Sequence, residues 1–353
     1  MSEAIPRRAL IGRWDPLTLG IDVGGTKVLA GVVNSDGRVL ARQRRLTPGR
    51  SVVAVEDTIV ELCGSFSRDY DVAAVGVGAA GFVDVSRSTV LFSPHLAWRD
   101  EPLREAVMSR VGIPVVVDND ANAAALAESK FGAAIGHRLV LCITLGTGIG
   151  GALVIDNRVF RGANGMAGEF GHIQVVPGGH RCECGNRGCW EQYASGNALV
   201  RDARELVLAN SPMAHGLRDR VGGDVAALTG PLITHAARDG DPLALELLAD
   251  MGNWLGVGLA GMAAAFDPGC IIVGGGVSES GDLLLEPTRM AFARALTGRG
   301  HRPEPPIMVA ALGSEAGFIG AAEMARSAAR RSRRGRGRRR DRRGGRRRLR
   351  PEV

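Results

Sequence analysis

The chain has 353 residues, 45% of them hydrophobic, and a formal net charge of +7. That length and apolar content suit about two domains with sizeable cores. No apolar run approaches the roughly 20 residues that cross a bilayer, and Arg13 and Asp15 interrupt the early apolar stretch, so neither a membrane span nor a signal peptide is expected.

The charge is unevenly placed. From Arg330 to Val353 there are 14 Arg and no Lys, opposed only by Asp341 and Glu352, which leaves 30 basic against 35 acidic residues, a net of −5, in 1–329. A like-charge run without hydrophobic periodicity is expected to be a disordered tail over 330–353. Such a tail has the chemistry to bind polyanions nonspecifically, and is equally well read as a solvated extension.

After a flexible extension over 1–16, Leu17 to Asp22 predicts a strand ending in Asp22-Val23-Gly24-Gly25-Thr26-Lys27. Val28 to Val33 is a second strand, turned by Asn34-Ser35-Asp36-Gly37 into a third from Val39. Glycines in the first turn let backbone N–H groups approach a phosphate, although the G-x-x-x-x-G-K-[ST] loop is absent. A helix over 51–66 and a strand over Val72 to Val77 lead into the glycine loop Gly78-Ala79-Ala80-Gly81. Pro102 to Val111 reads as a helix and Val115 to Val117 as a strand ending in Asp118-Asn119-Asp120, ahead of a helix over Ala121 to Lys130. Alternating strands and helices give an α/β class, in which the polar residues after a strand line the ligand crevice.

The opening pattern then recurs. Leu139 to Leu145 is followed by Gly146-Thr147-Gly148-Ile149-Gly150-Gly151, a second strand to Ile155, and a turn at Asp156-Asn157. This is a structural duplication, one copy starting each of two lobes. Helices are expected over Asn197 to Ala209, Pro231 to Ala237, Pro242 to Ala265 and 282–296, whereas 211–228 is poorly patterned. Cys270 to Val273 is a strand ending in the third glycine turn, Gly274-Gly275-Gly276, and Ile307 to Ala310 another strand before a final helix over 315–329.

Between the second and third glycine turns lies His172-x9-Cys182-x-Cys184-x4-Cys189. One imidazole and three thiolates favour a tetrahedral, closed and therefore structural Zn2+ site. Such a clip would hold Glu169 and Glu191 near each other as a polar binding floor. Cys63, Cys142 and Cys270 lie in apolar segments and read as buried thiols, so the whole cysteine pattern suits a reducing cytoplasm.

These motifs together resemble the ROK sugar kinases and repressors of the actin-like ATPase superfamily. Asp22-x-Gly24-Gly25-Thr26 resembles the first phosphate motif, Gly146-Thr147-Gly148-Ile149-Gly150-Gly151 the second, and Gly274-Gly275-Gly276 the adenosine motif. Asn119-Asp120-Ala121-Asn122 resembles the segment carrying the catalytic Asp, and Gly168-Glu169-x-Gly171-His172 with Cys182-x-Cys184-Gly185-x-x-Gly188-Cys189-x-Glu191 resembles the family signature. Ala80-Gly81 stands where many members have Pro-Gly. The resemblance implies a duplicated, two-lobed ribonuclease H-like fold with an interlobe cleft. The small lobe would be 17–118, with the final helix packing back on it, and the large lobe 119–314, with a zinc insertion over 172–189.

Within the family, Glu191-Gln192-Tyr193-Ala194-Ser195-Gly196 is most similar to the glucokinases, which implies phosphorylation of D-glucose to glucose 6-phosphate by ATP and Mg2+. Asp120 would be the general base, its competing role being the N-cap of the following helix and Asp118 its rival carboxylate. Gly81, Asn119, Asp120, Glu169, His172 and Glu191 would contact the sugar, with His172 also on zinc beside Cys182, Cys184 and Cys189. Asp22, Gly24, Gly25, Thr26, Lys27, Gly146, Thr147, Gly148 and Gly274 to Gly276 would hold the nucleotide, Asp22 also positioning Mg2+. Kinases for other hexoses, such as N-acetylmannosamine or fructose, share this pattern. A sugar-responsive repressor would need a DNA-binding domain ahead of Leu17, where only 16 residues stand. A homo-oligomer is expected.

Overall fold

A computed structural model describes residues 15–49, 51–94 and 96–344. The elements are β1 (Leu17–Val23), β2 (Lys27–Val33), β3 (Val39–Leu46), α1 (Val52–Ser67), β4 (Val72–Ala79), β5 (Phe82–Val83), β6 (Val90–Phe92), β7 (Arg99–Glu101), α2 (Leu103–Val111), β8 (Val115–Asn119) and α3 (Asp120–Phe131). The second half supplies β9 (Leu139–Leu145), β10 (Ile149–Ile155), β11 (Arg158–Phe160), α4 (Glu191–Ala194), α5 (Gly196–Leu208), α6 (His215–Arg220), α7 (Gly230–Arg238), α8 (Pro242–Phe266), β12 (Cys270–Gly274), α9 (Asp282–Ala295), β13 (Ile307–Val309) and α10 (Ala316–Gly344).

The duplication read from the glycine turns is a duplication of sheets. One sheet runs β3-β2-β1-β4-β8 and the other β11-β10-β9-β12-β13. In each, the first three strands in sequence form an antiparallel meander and the last two add in parallel. Both glycine turns therefore sit at equivalent places, between the first and second strands of their sheets. The parallel strands are continuous apolar runs, as expected of strands covered on both faces. β12 (Cys-Ile-Ile-Val-Gly) is buried throughout.

Helix α10 joins the halves. It lies across β1 and β4 and along α3 at backbone contact, which only glycine permits. A Cβ on Gly76 would stand 1.9 Å from the Ala321 carbonyl oxygen, and one on Gly20 only 1.7 Å from that of Phe318. Arg326, fully buried, fixes the register of this packing. Its guanidinium donates to Thr18 Oγ1 (2.8 Å), the Val33 carbonyl (2.6 Å) and Glu323 (2.8 Å), and Glu323 in turn binds Lys130 of α3 at 2.5 Å.

Three expectations meet a different structure. The segment expected as a tail from Arg330 continues α10 as far as Gly344, since Arg is a strong helix former and extending an anchored helix needs no new nucleus; residues 345–353 lie outside those described, as do 1–14 of the expected N-terminal extension. The unpatterned 211–228 holds two short helical turns and α6. Finally, α8 is long and apolar enough to cross a membrane, but 61% of its most apolar window is buried within the protein. It is a core helix, with Leu248, Leu255 and Leu259 inaccessible.

Gly76→Ala should lower the melting temperature sharply, because an overpacked backbone contact costs about 1–3 kcal/mol or more. Gly64→Ala, on α1 with no atom within 4 Å of the added methyl, should raise it by the equivalent of about 0.5–1 kcal/mol. Parallel thermal melts of the two variants check both signs.

Candidate active site between the lobes

Asp118, Asn119 and Asp120 end β8 and begin α3, and each has a separate job. Asp118, 3% exposed, is held by Arg161 through Nε (2.9 Å) and Nη2 (2.5 Å), by Arg87 Nε (2.8 Å) and by the Asn122 amide (3.1 Å). With two guanidiniums on one carboxylate, it is an anchor and not a rival base. Asn119 is the N-cap of α3: its Oδ1 accepts from the Asn122 N–H (3.0 Å) while its Nδ2 donates to the Gly81 carbonyl (3.1 Å). The capping role expected for Asp120 therefore falls one residue earlier, because β8 runs on through Asn119. Asp120 occupies the first helical position, where the partial positive charge of the helix start favours a carboxylate; its Oδ1 accepts the Ala121 N–H at 2.9 Å.

Gly81 is locked into this arrangement by its backbone. Its φ of 146° and the Phe92 carbonyl oxygen, 2.3 Å from where a Cβ would be, admit no side chain.

Two further carboxylates feel the charge of Asp120. Asp22, at the end of β1, is pushed up to about 7 by burial and then by the charge of Asp120, with Lys27 opposing. Glu169 is pushed up to about 7 by burial, then by Asp120 and Glu191. Asp120 thus stands electrostatically between Asp22, at the mouth of the first glycine turn, and the Glu169–Glu191 pair. The start of α10 closes over Asp22 so tightly that a Cβ on Gly317 would lie 2.5 Å from its Oδ2.

The second glycine turn reaches both sides of the cleft. Gly148 faces Glu191, whose Oε2 would be 2.6 Å from an added Cβ. The Gly146 and Thr147 carbonyls accept N–H groups of Gly196 (2.9 Å) and Asn197 (3.2 Å) at the start of α5, which Ser195 caps. Gly146, Thr147 and Gly276 line one cavity of about 360 Å3, within the range of ligand pockets. Of the third turn, Gly274 and Gly275 lie outside its wall; Gly275 instead takes φ 87° to pass the Leu145 carbonyl. The rest of the wall, including Asn197, Thr234, His235, Arg238 and Glu279, was not legible in the sequence. These come from α5, α7 and the turn after β12, and no short motif joins them.

His172, Cys182, Cys184 and Cys189 bring one ligand atom each within 4.8 Å of one another. Cys184 and Cys189 sulfurs are 3.6 Å apart, and Cys182 Sγ is 3.5 Å from His172 Nδ1. A tetrahedron with zinc–sulfur bonds near 2.3 Å has edges of about 3.7 Å, so the donor set and its spacing fit Zn2+. Burial raises the Cys182 and Cys189 thiols, so a cation is what would hold them together as thiolates. The knuckle depends on Gly188, at φ 76°, where a Cβ would collide with the Val176 carbonyl at 1.6 Å. Immediately after it, buried Trp190 donates from its indole N–H to the Trp254 carbonyl (2.9 Å), pinning the cluster to α8. Glu191 follows, its Oε1 3.4 Å from His172 Nδ1.

Comparison with known proteins agrees with this geometry. The ROK family model matches residues 18–328. The glucokinase of Streptomyces coelicolor is 48% identical over 310 residues, 88% of this chain and 98% of that protein. The structure of a ROK family glucokinase from Streptomyces griseus in complex with glucose and AMPPNP superposes with a TM-score of 0.81 at 50% identity, covering 88% of this chain and 99% of that one. The ROK hexokinase of Thermus thermophilus gives 0.73 at 34% identity, over 89% and 99% of the two chains. With its two duplicated five-stranded sheets, its glycine turns and its His-Cys cluster, this chain belongs to the ROK family.

Proposed function

We propose that the protein is an ATP-dependent glucokinase, converting D-glucose and ATP to glucose 6-phosphate and ADP. The observation that carries the reading is that the charge of Asp120 acts both on Asp22, beside the first glycine turn, and on Glu169, beside the His-Cys cluster. The likeness to glucokinases, one of them holding glucose and an ATP analogue, supports the same substrates.

The sugar lies against Gly81, Asn119, Glu169, His172 and Glu191, which offer acceptors and donors to its hydroxyls. His172 Nδ1 lies beside the Cys182 sulfur, leaving Nε2 as the nitrogen for the sugar. Asp120 takes the proton of the 6-hydroxyl as that oxygen bonds to the γ-phosphorus. The bond from γ-phosphorus to the β-bridging oxygen breaks, and its electrons leave with ADP. Gly24, Gly25, Thr26, Lys27, Gly146, Thr147 and Gly148 cradle the phosphates from both lobes, and Gly276 borders the adenosine cavity, with Gly274 and Gly275 shaping the turn that presents it. Mg2+ accompanying the nucleotide would be held through Asp22 and would offset phosphate charge. His172, Cys182, Cys184 and Cys189 would hold Zn2+, which would supply a cross-link and leave the chemistry to the carboxylates. Closure of the lobes keeps water from the γ-phosphate. Six cysteines outside any disulfide suit the cytoplasm, and a homo-oligomer completes the reading.

Asp120→Asn should cut kcat by about 10²–10⁴ while leaving calorimetric glucose affinity within a few fold; a variant turning over at the parental rate rules out the base. Cys184→Ser should abolish stoichiometric zinc in metal analysis and weaken glucose binding with it, whereas zinc loss at unchanged affinity would separate cluster from pocket. A panel of hexoses, N-acetylmannosamine and fructose included, should show glucose preferred in kcat/KM.

The ligand-free protein should also report Asp22 through pH. Its folded value of about 7 exceeds the ordinary 3.8, so folding takes up a proton between them. That stabilisation is complete below the lower value and lost as pH rises through the higher. The fall in melting temperature from about pH 5 to about pH 8 should be smaller in Asp22→Asn.

A further inference from the structure

Helix α10 has two unlike halves. From Ala316 to Ala329 it is packed among β1, β4 and α3, with Phe318, Ala322 and Ala325 buried. From Arg331 to Gly344 the same helix holds nine Arg, one Asp, one Ser and three Gly, with no aliphatic or aromatic residue. The rest of the chain, 1–329, carries a net −5. A basic arm is thus built in one piece with an acidic enzyme.

We propose that this arm docks the protein on double-stranded DNA through its phosphates, without reading sequence. Fourteen helical residues span about 21 Å, so nine Arg give one charge per roughly 2.3 Å, close to the duplex density of one per about 1.7 Å. A helix about 10–12 Å across matches a major groove about 12 Å wide, whose rims are phosphate. The exclusive use of Arg suits bidentate phosphate contacts. A lipid surface is disfavoured, since an interfacial helix needs an apolar face and this segment has no apolar residue. Flexible inorganic polyphosphate gains nothing from a rigid rod that matches a groove. The acidic body is repelled by phosphate, which confines contact to the arm. Gly317, against Asp22, and Arg331 lie about 21 Å apart along the helix, so DNA on the arm leaves the cleft open.

The test is fluorescence anisotropy of a labelled duplex of about 24 base pairs with the zinc-loaded full chain across a potassium chloride series of roughly 50–300 mM. The expected slope of log K against log salt is about −5 to −8, and R338Q/R339Q/R340Q/R342Q/R343Q should make it shallower by about 4. Glucose phosphorylation should be the same in both proteins. The proposal is overturned if the duplex does not bind, if the variant keeps the parental slope and affinity, if polyphosphate displaces the duplex at a lower phosphate concentration than unlabelled duplex does, or if acidic phospholipid vesicles compete as well as DNA.

Discussion

Like charges in one desolvated cleft are the constraint on which the rest of this structure depends. Asp22, Asp120, Glu169 and Glu191 come from four separate elements; burial and then the charge of Asp120 raise Asp22, and burial followed by the charges of Asp120 and Glu191 raises Glu169. A fold seeking only stability would spread them over the surface. Carboxylates driven this far from their ordinary range mark sites where charge must be handled at neutral pH. Under the proposed function the charges to be handled would be a sugar hydroxyl proton and the phosphates of a nucleotide.

The surroundings serve to hold those groups against their repulsion. Asp118 lies one strand residue from Asn119 and two from Asp120, and its clamp by Arg87 and Arg161 fixes the end of β8. Asn119 then ties the helix start to the Gly81 loop with one side chain. On the other side, the His-Cys cluster bonds a short 3-10 turn, Phe170–His172, to the segment leading into Glu191. With a metal bound, such a closed site would tolerate little movement of its ligands and would lend that rigidity to the two glutamates. α10 supplies the common backing, with Gly317 on Asp22 at one end and Arg326 locked against β1 and β2 further along.

What was legible in the sequence is what is local. The glycine turns, their repetition and the cysteine spacing are contiguous, and each has a short-range reason for its residues. The duplicated α/β architecture followed from them. The cap of α3 was misplaced by one residue because a strand end and a helix start share the same three polar residues, and only the backbone separates them. Arg87, Arg161 and Arg326 were invisible as structural cations because, apart from Glu323 beside Arg326, their partners lie 31, 43 and over 300 positions away in sequence or are backbone carbonyls. The cavity wall from α5 and α7 was missed for the same reason. The helical extension of α10 shows composition misleading in the other direction: charge argued for disorder, while helix propensity and a packed preceding turn favour continuation.

Phosphorus NMR of the zinc-loaded protein with MgATP and D-glucose tests the central claim most directly, because it identifies both products at once. The account predicts one glucose 6-phosphate for each ADP, with inorganic phosphate at background. ADP accompanied by inorganic phosphate alone, or a phosphate on another hydroxyl of the sugar, would contradict it.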